Sequence, residues 1–261
     1  MDNRNEKRLL DLVIKWTNHF KSRRDFEEWR EKRIWQERHQ AETINFLEQS
    51  IPDLKKRKIL DLGSGMGGFL VVMKKREYDI QGLEPNPDYR EISQLRSQRY
   101  GFEVKVNVGC GENMPFQEES FGFIYCSDVL EHCKNPQQLL RESCRVLKPE
   151  GLMLVTVVNR FSFEDPHYRI KFVNWLPRKL GNFIAKKITR KDNSVFKDNQ
   201  ELSNMHYFTM NGFEKITRRA GFKFLRNISK EEIYQKNIVK KELLLKLYCR
   251  RWKYILYKQW K

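Results

Sequence analysis

Residues 59–70 read ILDLGSGMGGFL, an apolar run that carries one carboxylate, Asp61, and then turns into four closely spaced glycines. Residues without a Cβ let a backbone turn sharply and approach a ligand, and a following helix offers its positive N-terminal end. Two spacings coexist in the stretch. Gly63-x-Gly65-x-x-Gly68 fits a loop beneath a dinucleotide pyrophosphate, whereas Asp61-x-Gly63-x-Gly65-x-Gly67 fits a loop that holds the sulfonium nucleoside S-adenosylmethionine. Both chemistries ask for an acid about twenty residues on, at the tip of the second strand, to bind ribose hydroxyls. Glu84 stands there and serves either. Asp61 separates them, because a carboxylate opposes two phosphates but suits an ammonium and a sulfonium. An Asp61 that merely bonds loop amides is the structural alternative.

Downstream blocks extend the pattern in order: GLEPN, GENMPF, FGFIYCSDVLEH and LLRESCRVLKPEGLMLV. Together with the glycine loop, they resemble the class I S-adenosylmethionine-dependent methyltransferases, particularly those related to the ubiquinone/menaquinone type. The resemblance covers residues 58–160 and, more loosely, 205–226. It implies that Asp61, Gly63, Ser64, Gly65 and Gly67 shape the pocket for the methionine portion. Glu84 would bind both ribose hydroxyls, with Pro85 and Asn86 flanking the adenosine. Cys110, Gly111 and Glu112 would border the adenine, and Ser127, Asp128 and Val129 would approach the sulfonium side. One position departs from the family, which commonly has an aspartate where this chain has Cys110. A thiol is a poorer acceptor for the adenine amino group. Either Glu112 or a backbone carbonyl takes its place, or the cofactor binds more weakly.

Methyl transfer from a sulfonium is an in-line displacement that needs alignment and exclusion of water, and a base only where the acceptor must lose a proton. His132, His167 and His206 are the candidate bases, each with the alternative of bonding a backbone carbonyl or a helix end. Asp128 and Glu131 contact the acceptor or, alternatively, complement a helix N-terminus. No metal site is expected.

The elements that must hold these residues alternate strand and helix from Lys58 to Asn159, which points to an α/β fold with helices on both faces of a sheet. The expected architecture is a three-layer, Rossmann-like methyltransferase sandwich with a mostly parallel seven-stranded sheet. Its parts are an N-terminal helical extension (1–57), the S-adenosylmethionine-binding core (58–160), an inserted lid (161–208) and the end of the core sheet (209–239). A basic C-terminal helix (240–261) follows. Within the extension, one helix is expected around residues 6–20 and a second over 25–49.

The chain has 261 residues, 39% of them hydrophobic, and five cysteines without a C-x-x-C pair. No secretory apolar region and no membrane-spanning run is visible, so a cytoplasmic address is expected, peripheral at a membrane surface if the basic segments bind lipid. The net charge of +17 is uneven: residues 1–58, 59–160 and 161–261 carry +4, −2 and +15. Such a C-terminal excess suits an anionic membrane surface or, less well, nucleic acid, or else an ordinary solvated face. The reading is a methyltransferase acting on a small-molecule or lipid-linked acceptor, with a sugar or isoprenoid among the classes considered. An RNA methyltransferase is the alternative, and a non-catalytic cofactor-binding protein acting through its basic tail is an alternative of another class.

Overall fold

A computed structural model of the chain describes residues 3–21, 23, 25–191, 200–227 and 251–259. Three N-terminal helices, α1 (Asn3–Thr17), α2 (Phe26–Ile34) and α3 (Ala41–Ser50), precede the alternating core. The core runs β1 (Ile59–Leu62), α4 (Gly68–Lys75), β2 (Ile80–Leu83), α5 (Pro87–Gln98), β3 (Val106–Asn107), β4 (Phe121–Cys126), α6 (Pro136–Val146) and β5 (Leu147–Val158). Then come α7 (Arg178–Lys191), α8 (Met210–Arg219), β6 (Phe222–Asn227) and β7 (Arg251–Lys258).

The seven strands form one sheet in the order β3-β2-β1-β4-β5-β7-β6, and β7 runs antiparallel to both its neighbours. Every residue of β1 and β2 is buried, as a parallel sheet covered on both faces requires. Alternate residues feed two cores. Leu60, Leu62, Ile124 and Val155 pack with α6 and α8 on one face, and Ile59, Phe123 and Leu154 pack with α3 and α4 on the other. The expected α/β sandwich is therefore the observed one. Helix starts are set locally: Asn86 accepts from the Asp88 amide and Asn135 from the Gln138 amide, each followed by a proline that opens its helix.

Three sequence expectations are corrected. The single helix over 25–49 is divided into α2, a 3-10 turn at Gln36–His39 and α3. Tertiary contacts explain the break: the turn buries Glu37 against Arg96 and lays the Gln36 side chain on Gly68. The extended segment 103–109 pairs only at Val106–Asn107. The basic C-terminal helix over 240–261 is overturned where it is described, because Arg251–Lys258 is a strand inserted between β5 and β6. Residues 240–250, 260 and 261 of that expected helix lie outside the described residues. Trp252, Tyr254 and Leu256 are all buried on one face of that strand, so the period-two alternation outweighs the basic, aromatic composition.

The insertion carries its own small core of Val158, Tyr168, Val173, Ala185, Leu202, Met205 and Tyr207. In the N-terminal extension α1 buries Leu9, Leu12 and Val13 against Ile92, Leu95 and Met66, the last a residue of the glycine loop.

Candidate active site

β1 leaves the sheet into a loop where Gly63, Gly65 and Gly67 all take positive φ. At Gly63 a Cβ would lie 2.5 Å from a methyl of Val129, so the tip of β4 closes directly onto the loop. At Gly65 a Cβ would meet nothing nearer than 4.0 Å, which leaves that face of the loop open. From the adjacent strand, Glu84 reaches under the loop. Its Oε2 accepts from the Gly65 amide at 3.0 Å and its Oε1 from the Asn86 amide at 2.9 Å. Burial raises the Glu84 pKa, opposed by those two amides and by Arg90. Each carboxylate oxygen has a second lone pair for a ribose hydroxyl.

The Leu70 amide at the start of α4 favours the charged form of Asp61, yet the Asp61 Oδ2 is buried and has no hydrogen-bond partner. Burial, and then the neighbouring Glu84, push its pKa up to about 8. Ser64 adds a second buried oxygen with no partner. Unsatisfied buried acceptors are costly unless something completes them. A cationic nucleoside would complete this set, whereas a pyrophosphate would face two carboxyl groups. The residues fit S-adenosylmethionine.

The block expected to border the adenine is assembled less fully. Cys110 is exposed and forms an isolated bridge with Asn113. Glu112 Oε1 accepts from the Lys134 and Asn135 amides at 2.7 and 3.3 Å, which ties this block to the start of α6. Gly111 leaves room for Leu139. The Asn86 side chain is used as the cap of α5, and the Pro85 carbonyl accepts from Arg90.

Ser127, Asp128 and Val129, expected to approach the sulfonium, follow β4. Asp128 takes a left-handed backbone, φ 58°, where non-glycine residues are uncommon. Thr156 of β5 holds it there, accepting from the Asp128 amide at 2.8 Å and donating to its Oδ1 at 3.2 Å. Arg251 of β7 forms an ion pair with the same oxygen at 2.8 Å. The structure thus gives Asp128 neither the helix-terminal role nor a free carboxylate. Thr156 and Arg251 were invisible to motif reading, because they come from strands 28 and 123 residues away in the chain.

Two of the three candidate histidines converge: His132 and His167 place their ring centroids 5.1 Å apart at nearly right angles. His206 joins them through its backbone, the amide donating to the Glu131 carbonyl, while its ring is turned to the backbone of Cys133 and Lys134. Beside His132 and His167 lies Glu131, fully buried, with neither carboxylate oxygen hydrogen-bonded and Oε1 4.0 Å from His167 Nε2. Burial raises the Glu131 pKa, with the Asp128 charge adding to it. Burial, and then Arg178, lower the His206 pKa. Asp165 fixes His167 from beneath, accepting from the amides of His167 and Tyr168 and from the Tyr207 hydroxyl at 2.6 Å. Ligating atoms of Glu131, His132 and His167 lie within 4.8 Å of one another. Groups this close can share a proton, and where the sequence led to no metal expectation they form a donor set of the kind divalent cations take.

Residues 60–155 match the family model described as "Methyltransferase domain". The uncharacterized protein MJ1123 of Methanocaldococcus jannaschii is 30% identical over 145 residues, 55% of this chain and 64% of that protein. The ubiquinone biosynthesis O-methyltransferase of Azorhizobium caulinodans is 29% identical over 133 residues, 50% of this chain and 53% of that protein. The chain thus spans less than two thirds of the length of these relatives. Among solved structures, a putative sarcosine dimethylglycine methyltransferase from Galdieria sulphuraria superposes with a TM-score of 0.55 at 17% identity, over 84% of this chain and 86% of that one. The YcgJ protein of Bacillus subtilis gives 0.53 at 14% identity, over 84% and 99%. These structural likenesses concern the fold.

Proposed function

We propose that this chain, which belongs to the class I S-adenosylmethionine-dependent methyltransferases through residues 60–155, methylates a small-molecule acceptor. The observation that carries the proposal is the pairing of Glu84, anchored by the Gly65 and Asn86 amides, with the partnerless oxygen of Asp61 across the same loop.

When bound, S-adenosylmethionine supplies a methyl group on a sulfonium, whose displacement releases a neutral thioether. The chain's own residues bind, orient and enclose. Glu84 accepts from the ribose hydroxyls, and Asp61 and the open face of Gly65 accommodate the cationic methionine end. Asp128, held by Thr156 and Arg251, fixes the wall beside the sulfur. The acceptor approaches from the side of Glu131 and the three histidines. Where its nucleophile is a hydroxyl or a protonated nitrogen, the new bond to the methyl carbon forms as its proton leaves. His167 Nε2, facing Glu131, is the proposed recipient, with His132 beside it. A lipid-linked acceptor belongs to the same proposal.

Calorimetry with S-adenosylhomocysteine and with NADH tests the cofactor, with binding of the first alone expected. Transfer of a labelled methyl group to an acceptor panel that includes RNA tests the reaction. Binding without transfer to any member of the panel would favour a non-catalytic protein.

A further inference from the structure

Exposed apolar side chains on this molecule are strongly localised. Eight large hydrophobic residues stand exposed among those described, and six of them, Phe161, Phe163, Phe172, Trp175, Leu180 and Phe183, lie within one stretch of the insertion. Four form a continuous aromatic chain. Phe161 contacts Trp175, Trp175 contacts Phe172, and Phe172 contacts Phe163, with centroids 6.0, 5.3 and 4.8 Å apart.

The backbone beneath is built to present them. The Phe172 amide donates to the Phe163 carbonyl at 2.9 Å and the Asp165 amide to the Ile170 carbonyl at 3.0 Å, closing a tight loop. Phe172 itself takes φ 61°, a strained conformation for a bulky residue, and its ring ends up outside. Trp175 donates its indole N–H to the Ser162 carbonyl, so its polar group is satisfied while the ring face is left outward. In α7 the small residues Gly181 and Ala185 are buried, and Leu180 and Phe183 are exposed. A Cβ on Gly181 would lie 2.9 Å from the Val173 carbonyl oxygen, so the helix is seated through its small residues with larger apolar ones outside. That arrangement gains no burial within this chain.

Charge identifies the occupant. Residues 160–191 contain nine Lys/Arg against two Asp/Glu, and one of those two acids, Asp165, is buried. Arg169, Lys171, Lys179, Lys186 and Lys187 are exposed in the same stretch; Lys171 lies over the Phe163 ring, while Arg169 pairs with Glu164 and Lys186 with Glu201. Aromatic and aliphatic side chains rimmed by lysine and arginine form an interfacial surface for anionic lipid. A second copy of the chain would bring two such basic faces together, at a repulsive cost. Nucleic acid would use the rings for stacking but has no use for Leu180. None of the helices in the described residues is long and apolar enough to cross a bilayer, so the contact is peripheral.

We infer that the Phe161–Phe183 face of the insertion docks the protein on an anionic lipid surface. This inference concerns location, not chemistry, and stands whether or not the proposed methyl transfer is correct.

Cosedimentation tests it, using vesicles of phosphatidylcholine alone and vesicles of equal parts phosphatidylcholine and phosphatidylglycerol. The wild-type chain should pellet with the mixed vesicles and less with the neutral ones, and salt should weaken the binding. Phe163→Ser combined with Phe183→Ser should lower partitioning at least about tenfold. Lys179→Glu with Lys187→Glu should lower it while leaving the aromatic face intact. Both variants should keep the wild-type melting temperature and the shift produced by S-adenosylhomocysteine, which separates lost docking from lost folding. The inference is overturned by absence of vesicle binding, by binding that the substitutions leave unchanged, or by an aromatic variant that instead dissolves a dimer seen by light scattering. Binding to an RNA homopolymer in preference to mixed vesicles overturns it as well.

Discussion

Arg251 Nε lies 2.8 Å from Asp128 Oδ1, so the last described strand of the chain reaches back to brace the tip of β4 beside the candidate reaction centre. Arg251→Met should leave the fold intact, loosen the left-handed turn at Asp128 and raise the KM for S-adenosylmethionine severalfold. Deleting residues 251–261 should instead abolish cooperative unfolding, because it removes β7 from between β5 and β6. Circular dichroism melts of both variants check this pair of outcomes.

Glu84 holds two loop amides as well as the proposed ribose site. Glu84→Ala removes a charged acceptor, and each such hydrogen bond contributes about 1.5–3 kcal/mol. Affinity for S-adenosylhomocysteine should fall by roughly a hundredfold or more. Calorimetry that finds wild-type affinity would remove Glu84 from the site.

Asp61 makes stability and binding depend on pH in opposite directions. Its folded pKa of about 8 lies above the unfolded value near 3.9, so between these limits the folded state binds more protons. Stability therefore falls as pH rises from about 4 to about 8. Asp61→Asn should flatten that decline, with the melting temperature gaining roughly 2–4 °C per kcal/mol recovered. Over the same window, wild-type affinity for S-adenosylhomocysteine should rise with pH as the carboxylate forms opposite the ligand's ammonium. A pH-independent affinity in the wild type would show that Asp61 does not meet the cationic end.

His167→Ala should reduce turnover about 10²- to 10⁴-fold for an acceptor that loses its proton in the transfer, the range general bases supply. Affinity for S-adenosylhomocysteine should be unchanged. His132→Ala, at an exposed ring whose Nδ1 lies 2.7 Å from Gln200 Oε1, should cost less. Full activity in the His167 variant, measured by single-turnover kinetics, would assign the proton elsewhere.

The N-terminal helices are locked by a buried ion pair. Arg96, fully buried, contacts Glu37 and donates to the carbonyls of Met66, Ile34 and Arg33. Arg96→Ala leaves Glu37 buried with only Arg99 as a charge partner and should destabilise the protein by about 3–5 kcal/mol. Hydrogen exchange should show the loss concentrated in α1 and α2. Uniform loss would mean that the extension is not a separate unit of stability.

Legibility in the sequence followed the range of the interactions. Asp61, the glycines and Glu84 are set by one strand–turn–helix unit and the strand beside it, so their spacing alone gave the loop, its acid and the α/β alternation. Local capping at Asn86 and Asn135 fixed helix starts for the same reason. Whatever depended on residues meeting from distant parts of the chain was decided only in three dimensions. The division of residues 25–49 follows from Arg96 drawing Glu37 inward, and β7 forms because a gap between β5 and β6 accepts Trp252, Tyr254 and Leu256. The grouping of His132 and His167 with the buried Glu131 likewise arises from the insertion folding back on the tip of β4. Periodicity records which side of an element is apolar, but it carries no information about what that side will meet.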